Sequence, residues 1–374
     1  MSTAYPPPLP RRRSWGCFLT LLLAASVLLN LFLCGVLVWP EQEDDGPREK
    51  HLYGPKLARD KVAVVRAEGP LVESLDAHII KQIQKAGRDS AVKAVVVRID
   101  SPGGTIGASE DIHRELSRLR AGKHPRFPEY KAIPVVASMG SIAASGGYYI
   151  AMPASKVFAE KATLTGSIGV YAALPNVSKL ASEHGVRLVL IKAGGIKGSG
   201  SPLHELTAEE RQPWQDMVDQ AYDQFLDVVA KGRPALTKEQ LKSEVVIRKQ
   251  ANVYDDKGNV DPGPDGKPKQ VPVERVRADG GSFTAQEAKQ FGLIDDFGLL
   301  EDAVTAAATA AGLGEFRVVH YERPPSLWNV LLGANARADG TPDLHQLAVG
   351  LTPRLWYMAP QCELTGILAA SAPR

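Results

Sequence analysis

The sequence predicts an α/β domain built on a largely parallel sheet, preceded by one N-terminal membrane helix. Two observations predict it. From residue 61 onward, short β-branched runs alternate with amphipathic segments, the pattern of strands joined by crossover helices. Ahead of them, residues 14–39 (SWGCFLTLLLAASVLLNLFLCGVLVW) carry no charge, and about 20 apolar residues suffice to cross a bilayer core. The 374 residues exceed one ordinary domain. With residues 1–56 read as non-globular, a single large domain of roughly 260 residues is expected.

Taken in order, residues 1–13 form a short N-terminus that closes on Arg11, Arg12 and Arg13, and Glu41, Glu43, Asp44 and Asp45 follow the apolar run. The positive-inside rule therefore expects a cytoplasmic N-terminus and a domain outside the cytoplasm, at the cell (inner) membrane. A cleaved signal peptide would have an apolar core of about 7–15 residues and an A-x-A-like site; this run is longer and ends in VLVWP. Residues 40–60 are polar, contain three prolines, and read as a linker. Cys17 and Cys34 lie in the span and Cys362 near the C-terminus, so neither a disulfide framework nor a zinc site is expected, and no cofactor. The 44 basic and 42 acidic residues form no aromatic-interleaved basic stripe, which argues against nucleic acid as a partner.

The domain expected at 61–322 has strand-like runs at 62–69, 91–100, 133–138, 156–160, 186–194 and 316–322. Helix-like segments fall at 74–87, 109–122, 177–185, 207–232 and 300–312. Residues 250–280 break this rhythm with Gly, Pro, Asp and Lys, a surface insertion with DPGPDG at the tip of a hairpin. The stretch 323–374 is a C-terminal extension whose Trp328, Trp356 and Tyr357 pack on the domain or on a neighbouring subunit.

Two motifs stand at carboxyl ends of these strands, where α/β sheets hold their ligands. Asp100-Ser101-Pro102-Gly103-Gly104 follows AVKAVVVRI, and its glycines can turn the backbone and aim bare N–H groups at a guest. The second is SMGSIAASGGY (138–148). Ser145 has small residues two positions before and two after, as a nucleophile elbow requires, and it opens the segment SGGYYIAM, read as a helix. The stretch alone leaves Ser141 as good a candidate, and a helix-capping serine with small neighbours fits as well. A serine hydroxyl needs a base. None of the eight histidines is picked out by spacing. A desolvated lysine can serve instead, and Lys192 and Lys197 both lie in IKAGGIKGSGSP (191–202).

In order and spacing, SPGG, MGSIAASGGYYIA, TLTGSIGV (163–170), IKAGGIKGSGSP, QDMVDQAYDQFLDVVAKGR and AKQFGLIDDFG resemble the signal peptide peptidase A (protease IV) family of serine peptidases, over about residues 60–315. The resemblance implies a crotonase/ClpP-like fold of repeated ββα units and a serine–lysine dyad in its short, single-repeat form. It implies Ser145 as nucleophile, Lys197 as base, Ser167 as the residue that orients the lysine, and Gly103 and Gly104 as the oxyanion hole. Gly198, where relatives commonly carry an acid, is a departure. The resemblance further implies hydrophobic peptide substrates such as released signal peptides, and a ring-like homo-oligomer, an octamer by analogy with short relatives. A ClpP-class protease acting on one membrane partner, a crotonase-like acyl-transfer enzyme and a non-enzymatic scaffold are the alternatives.

Overall fold

The computed structural model describes residues 15–38, 46–263, 265–323 and 354–358. The chain divides into two units, Met1–Asp45 and Gly46–Arg374. In the first, α1 (Trp15–Val38) is one helix of 24 residues. Its side chains are described over 18–30 and all are exposed. Asn30, at the end of that stretch, donates its side-chain amide to the Ser26 carbonyl at 2.8 Å. Among the described residues no helix is long and apolar enough to cross a membrane, so the anchor expected over 14–39 is a proposal.

The second unit opens with β1 (Arg48–Tyr53) and β2 (Lys61–Glu68). Then come α2 (Glu73–Arg88), β3 (Val92–Ser101), the short β4 (Gly103–Thr105), α3 (Ile106–Ala121), β5 (Val135–Ala144) and a one-turn α4 (Gly146–Tyr149). β6 (Lys156–Ala159), β7 (Leu164–Gly166) and β8 (Tyr171–Ala173) follow, then α5 (Ser178–Glu183), the long α6 (Ala208–Gly232) and α7 (Lys238–Ser243). The remainder is β9 (Val245–Asn252), β10 (Gln270–Val276), β11 (Ser282–Thr284), α8 (Ala285–Gln290), β12 (Asp296–Phe297), α9 (Leu300–Ala310), β13 (Arg317–Glu322) and β14 (Arg354–Met358).

The main sheet runs β1-β13-β2-β3-β5-β6-β12, with β7 on the far half of β5 and β11 beside β7. Every pairing from β13 to β12 is parallel; β1 and β11 join antiparallel. Runs such as VAVV and AVVV are apolar at consecutive positions because both faces of the sheet are covered. Val65, Ala67, Val97 and Ile99 pack into the cluster that includes Ile83, Ile112 and Leu116 of α2 and α3. Val62, Val64, Ala94 and Val96 turn to the other face and meet Val304 and Ala307 of α9. α3 is bounded by Thr105, whose side chain accepts from the Ala108 amide, and by Gly122 at φ 64.

Three sequence expectations change. Residues 48–53, within the expected linker, pair antiparallel with β13, and Lys61 clamps that edge through Glu49 at 2.8 Å and Asp89 at 2.8 Å. The run 186–194 is not a strand: it has β-branched composition but no ladder partner among the described residues, and Val186, Leu188, Val189, Leu190 and Ile191 are exposed. SGGYYIAM yields only the single turn of α4. The 250–280 insertion is a hairpin whose strands start earlier, β9 pairing β10 from Val245 to Asn252, with Asp255 taking the amides of Lys257 and Asn259 at its outer turn. Of the C-terminal extension, residues 354–358 are described and lie in a strand; Trp328 lies outside the described residues.

His113 on α3 packs edge-on against Tyr149 with ring centroids 5.0 Å apart. Burial, helped by the charge of Lys231, pulls its pKa down to about 4. A histidine kept neutral by the fold stabilises above its unfolded pKa of ~6.5, and that contribution is lost as pH falls from there toward 4. The urea midpoint should fall over this window, and His113→Gln should flatten that slope. A second expectation concerns the hairpin. Replacing 253–269 by Asn-Gly, between the paired Asn252 and Gln270, should change stability by no more than about 0.5 kcal/mol in thermal unfolding, because the excised tip is exposed.

Candidate active site

Parallel pairing brings the two glycine motifs together. Ser101 at the end of β3 stands opposite Ala143 at the end of β5, so the segments that follow, Gly103-Gly104 and Ser145-Gly146, meet beyond the carboxyl edge. β7 completes the arrangement, with Gly166 opposite Ala144, which sets Ser167 one residue past the same line. Asp100 braces the edge by accepting the Ile142 amide at 3.1 Å, and Thr165 donates to the Ala143 carbonyl at 2.7 Å.

Ser145 occupies φ 54, ψ −113. With Ser167 at φ 50, it is one of the two non-glycine residues at positive φ among the described residues. Such a conformation costs on the order of 1–3 kcal/mol and persists only where surrounding contacts dictate it. Here the Ser145 amide donates to the Gly166 carbonyl at 2.8 Å, and its own carbonyl accepts from Tyr149 at 2.8 Å. Its small neighbours are required by space. A Cβ at Gly147 would sit 2.6 Å from the Ser101 carbonyl oxygen, and one at Gly146 would collide with Ser109 Oγ. The Ser145 side chain is buried and its Oγ has no hydrogen-bond partner. Ser141, four residues back in β5, is exposed and carries no such strain. Buried Ser138 accepts from Arg98 at 3.0 Å.

The SPGG glycines are equally constrained. Gly103 has φ 100, and its amide donates to Ser101 Oγ at 3.1 Å. Gly104 lies so close to the Leu71 carbonyl that any Cβ would overlap it, and Leu71 ties down both sides, donating to Gly103 and accepting from Thr105, each at 2.8 Å. The Gly146 nitrogen faces Gly103, 2.8 Å from where a Cβ would project. Sequence reasoning did not single out this third amide; its position directly after the strained serine was the available signal.

Residues 129–252 match the profile of Peptidase family S49. A Synechocystis protein named as a protease is 33% identical over 312 residues, covering 82% of this chain and 94% of its own length. A signal peptide peptidase of Enterococcus faecium is 31% identical and covers 66% of this chain, and protease 4 of Salmonella typhi is 31% identical and covers 72%. The chain belongs to the signal peptide peptidase A family of serine peptidases. It spans 59% of the Enterococcus relative and 38% of the Salmonella one. Among solved structures, a ClpP1 mutant from Listeria monocytogenes is 13% identical, with a TM-score of 0.36 over 64% of this chain and 94% of that one, a likeness too slight to carry function.

In this serine peptidase the other expected residues sit as follows. Ser167 is buried; its hydroxyl donates to the Gly280 carbonyl at 2.9 Å and its amide to the Gly281 carbonyl at 3.0 Å, so the turn leading into β11, and not a lysine, holds it. Lys192 is paired with Glu210 at 3.3 Å. That carboxylate is held down at about 2, first by the Thr207 backbone amide and then by His204 and Lys192. Lys197 is exposed and forms no ion pair among the described residues. Among the described residues Ser145 Oγ has no hydrogen-bond partner, so it is not hydrogen-bonded to Lys197. The other feature that sequence reasoning missed is β14, which lies antiparallel between β4 and β8 and pairs Tyr357 with Gly104.

Crowding at Gly104 gives a test with an internal control. Gly104→Ala should destabilise the peptidase by at least about 2 kcal/mol in urea unfolding, because backbone and not a flexible side chain is in the way. Gly107→Ala, one turn on in α3 with open space around it, should be neutral or stabilise by about 0.5–1 kcal/mol.

Proposed function

We propose that this serine peptidase is a membrane-anchored endopeptidase that uses Ser145 as nucleophile and Lys197 as general base. The observation that carries this reading is the strained turn at Ser145, with its buried, unpartnered hydroxyl set beside the SPGG backbone. Strain of this kind is retained where it aims a side chain that must react. In the reaction, Ser145 Oγ attacks the scissile carbonyl while a neutral lysine takes its proton. In this reading backbone N–H groups of the Gly103–Gly104 and Gly146 segments stabilise the developing oxyanion, the Gly103 amide giving up its bond to Ser101 Oγ to do so, each worth about 3–4 kcal/mol of barrier when well aimed. The ammonium then protonates the departing amine, and water resolves the acyl-enzyme.

Anchoring is supported by the uncharged run 14–39 and by α1. The three arginines before the run and the acids after it support a catalytic domain outside the cytoplasm of an inner-membrane protein. Hydrophobic peptides, among them released signal peptides, are the proposed substrates, in keeping with the name of the Enterococcus relative. The crotonase/ClpP-type assignment rests on the parallel sheet covered on both faces. A homo-oligomer is supported by the exposed run Val186, Leu188, Val189, Leu190 and Ile191, a patch that a soluble surface rarely leaves bare. Lys197 is carried on the same segment, so contact between copies through this run is the step that brings a lysine to a serine.

Ser145→Ala and Lys197→Ala should each lower kcat on a fluorogenic peptide by at least about a thousandfold while circular dichroism and assembly stay unchanged. Mixing the two inactive variants before assembly should recover part of the activity if serine and lysine come from different copies. Wild-type activity in either single variant would overturn the assignment.

A further inference from the structure

The segment that carries the proposed base has no ladder among the described residues to hold its shape. From Gly194 to His204 it is a chain of tight turns, in which the amides of Lys197, Ser199, Ser201 and His204 donate to the carbonyls of Gly194, Ile196, Gly198 and Ser201. Gly194, Gly198 and Gly200 take positive φ to allow them. Turns of this kind fix a local path but leave the segment free to swing as a body unless side chains tie it down. They do, and they converge on one residue. Buried Glu210 meets Lys192 Nζ through Oε1 at 3.3 Å and His204 Nε2 through Oε2 at 2.9 Å. Its backbone carbonyl accepts the Ser199 hydroxyl at 3.2 Å, and Ser199 Oγ in turn accepts from the Trp214 indole at 2.8 Å. The ties fall on both sides of Lys197, and all of them end on the first two turns of α6.

Capping the helix does not account for this arrangement. Glu210 completes a capping box with Thr207, a use of the third helical position that α7 and α8 repeat with Gln240 and Glu287. Neither of those side chains is buried, and each reaches back to its own threonine. A cap works from the surface. Burying a carboxylate costs far more than a cap contributes unless cations meet it, and here the cations come from the lysine segment. With the Thr207 amide first and His204 and Lys192 after it, the carboxyl is pulled down to about 2, so the tie stays charged wherever a lysine base can act.

We propose that Glu210 is the positioning residue of the lysine segment: through Lys192, His204 and Ser199 it sets where Lys197 stands toward the serine it deprotonates, while touching neither substrate nor the reacting atoms itself. This rests on the reading of Lys197 as the base. It also separates the two lysines of IKAGGIKGSGSP by task. Lys192 is committed to Glu210, and Lys197, with no ion pair among the described residues, keeps its amine for the reaction. A catalytic group displaced by about 1 Å loses on the order of a hundredfold in rate, so a carboxylate remote from the chemistry can govern the proton transfer.

The test is a double-mutant cycle in the full chain. Two readouts are taken in the parent and in Lys197→Ala: the rate of fluorophosphonate labelling of Ser145, and kcat and KM for a fluorogenic peptide. Glu210→Gln keeps the size of the side chain and removes the charge that gathers Lys192 and His204. In the parent it should lower kcat and the labelling rate by about ten- to a hundredfold, with KM changed by no more than about twofold. In Lys197→Ala the same substitution should change the labelling rate by less than about twofold, because no base is left to misplace. Ser199→Ala drops the bonds to the Glu210 carbonyl and to Trp214. It should show the same pattern with a loss of a few-fold, and it decides alone should Glu210→Gln not fold. A merely structural Glu210 predicts an equal loss of labelling in both backgrounds, or a lower thermal midpoint with kcat unchanged, and either result overturns the proposal. Wild-type activity in Lys197→Ala would reject the base assignment and the positioning role with it. An inactive Lys197→Ala beside a fully active Glu210→Gln would reject the positioning role alone.

Discussion

Everything at the carboxyl edge of the sheet depends on one backbone constraint, the turn at Ser145. The residue cannot hold φ 54, ψ −113 by its own preference. It is held by the Gly166 carbonyl on one side and the Tyr149 amide on the other, and both depend on β5 staying in parallel register with β3 and β7. The register depends in turn on a sheet covered on both faces. Tyr148 pins the far side through its hydroxyl to the Leu293 carbonyl at 2.7 Å. The strain is therefore distributed over the sheet, which is why residues as distant in sequence as Leu71 and Gly280 take part in the geometry of one serine.

Close approach explains why so many residues here are small. Gly103, Gly104, Gly146 and Gly147 each abut backbone or a buried hydroxyl, and the guests and strands that meet there leave no room for a methyl group. Small residues at these positions serve packing and chemistry together. Clearing space for the turn and exposing N–H groups to a bound carbonyl are the same act.

Much of this was legible in the sequence. Strand and helix runs at 62–69, 91–100, 207–232 and 300–312 reappear within a residue or two, because their periodicity reports burial directly. The pairing of SPGG with ASGG could be suspected because both follow apolar strands. What composition could not supply was partnership. Residues 48–53 look like linker because their charges are real, yet an edge strand needs only one neighbour, and β13 provides it. Residues 186–194 look like a strand because they are β-branched, yet no ladder partner is present among the described residues. Local preference states what a segment can be; hydrogen-bond partners decide what it becomes.

The same rule bears on the two ends of the catalytic problem. Lys197 follows the segment that lacks a ladder partner among the described residues, and β14 is a segment that found two, β4 and β8. An edge of unpaired N–H and C=O groups between β4 and β8 is an open invitation to any extended chain. Paired with β14 on both sides, those edges are protected. The segment at 186–194 has no such cover among the described residues, and Val186, Leu188, Val189, Leu190 and Ile191 stay exposed. An edge closed by β14 and an apolar run left open follow from the same rule, that backbone groups and apolar surface need partners which only some segments find.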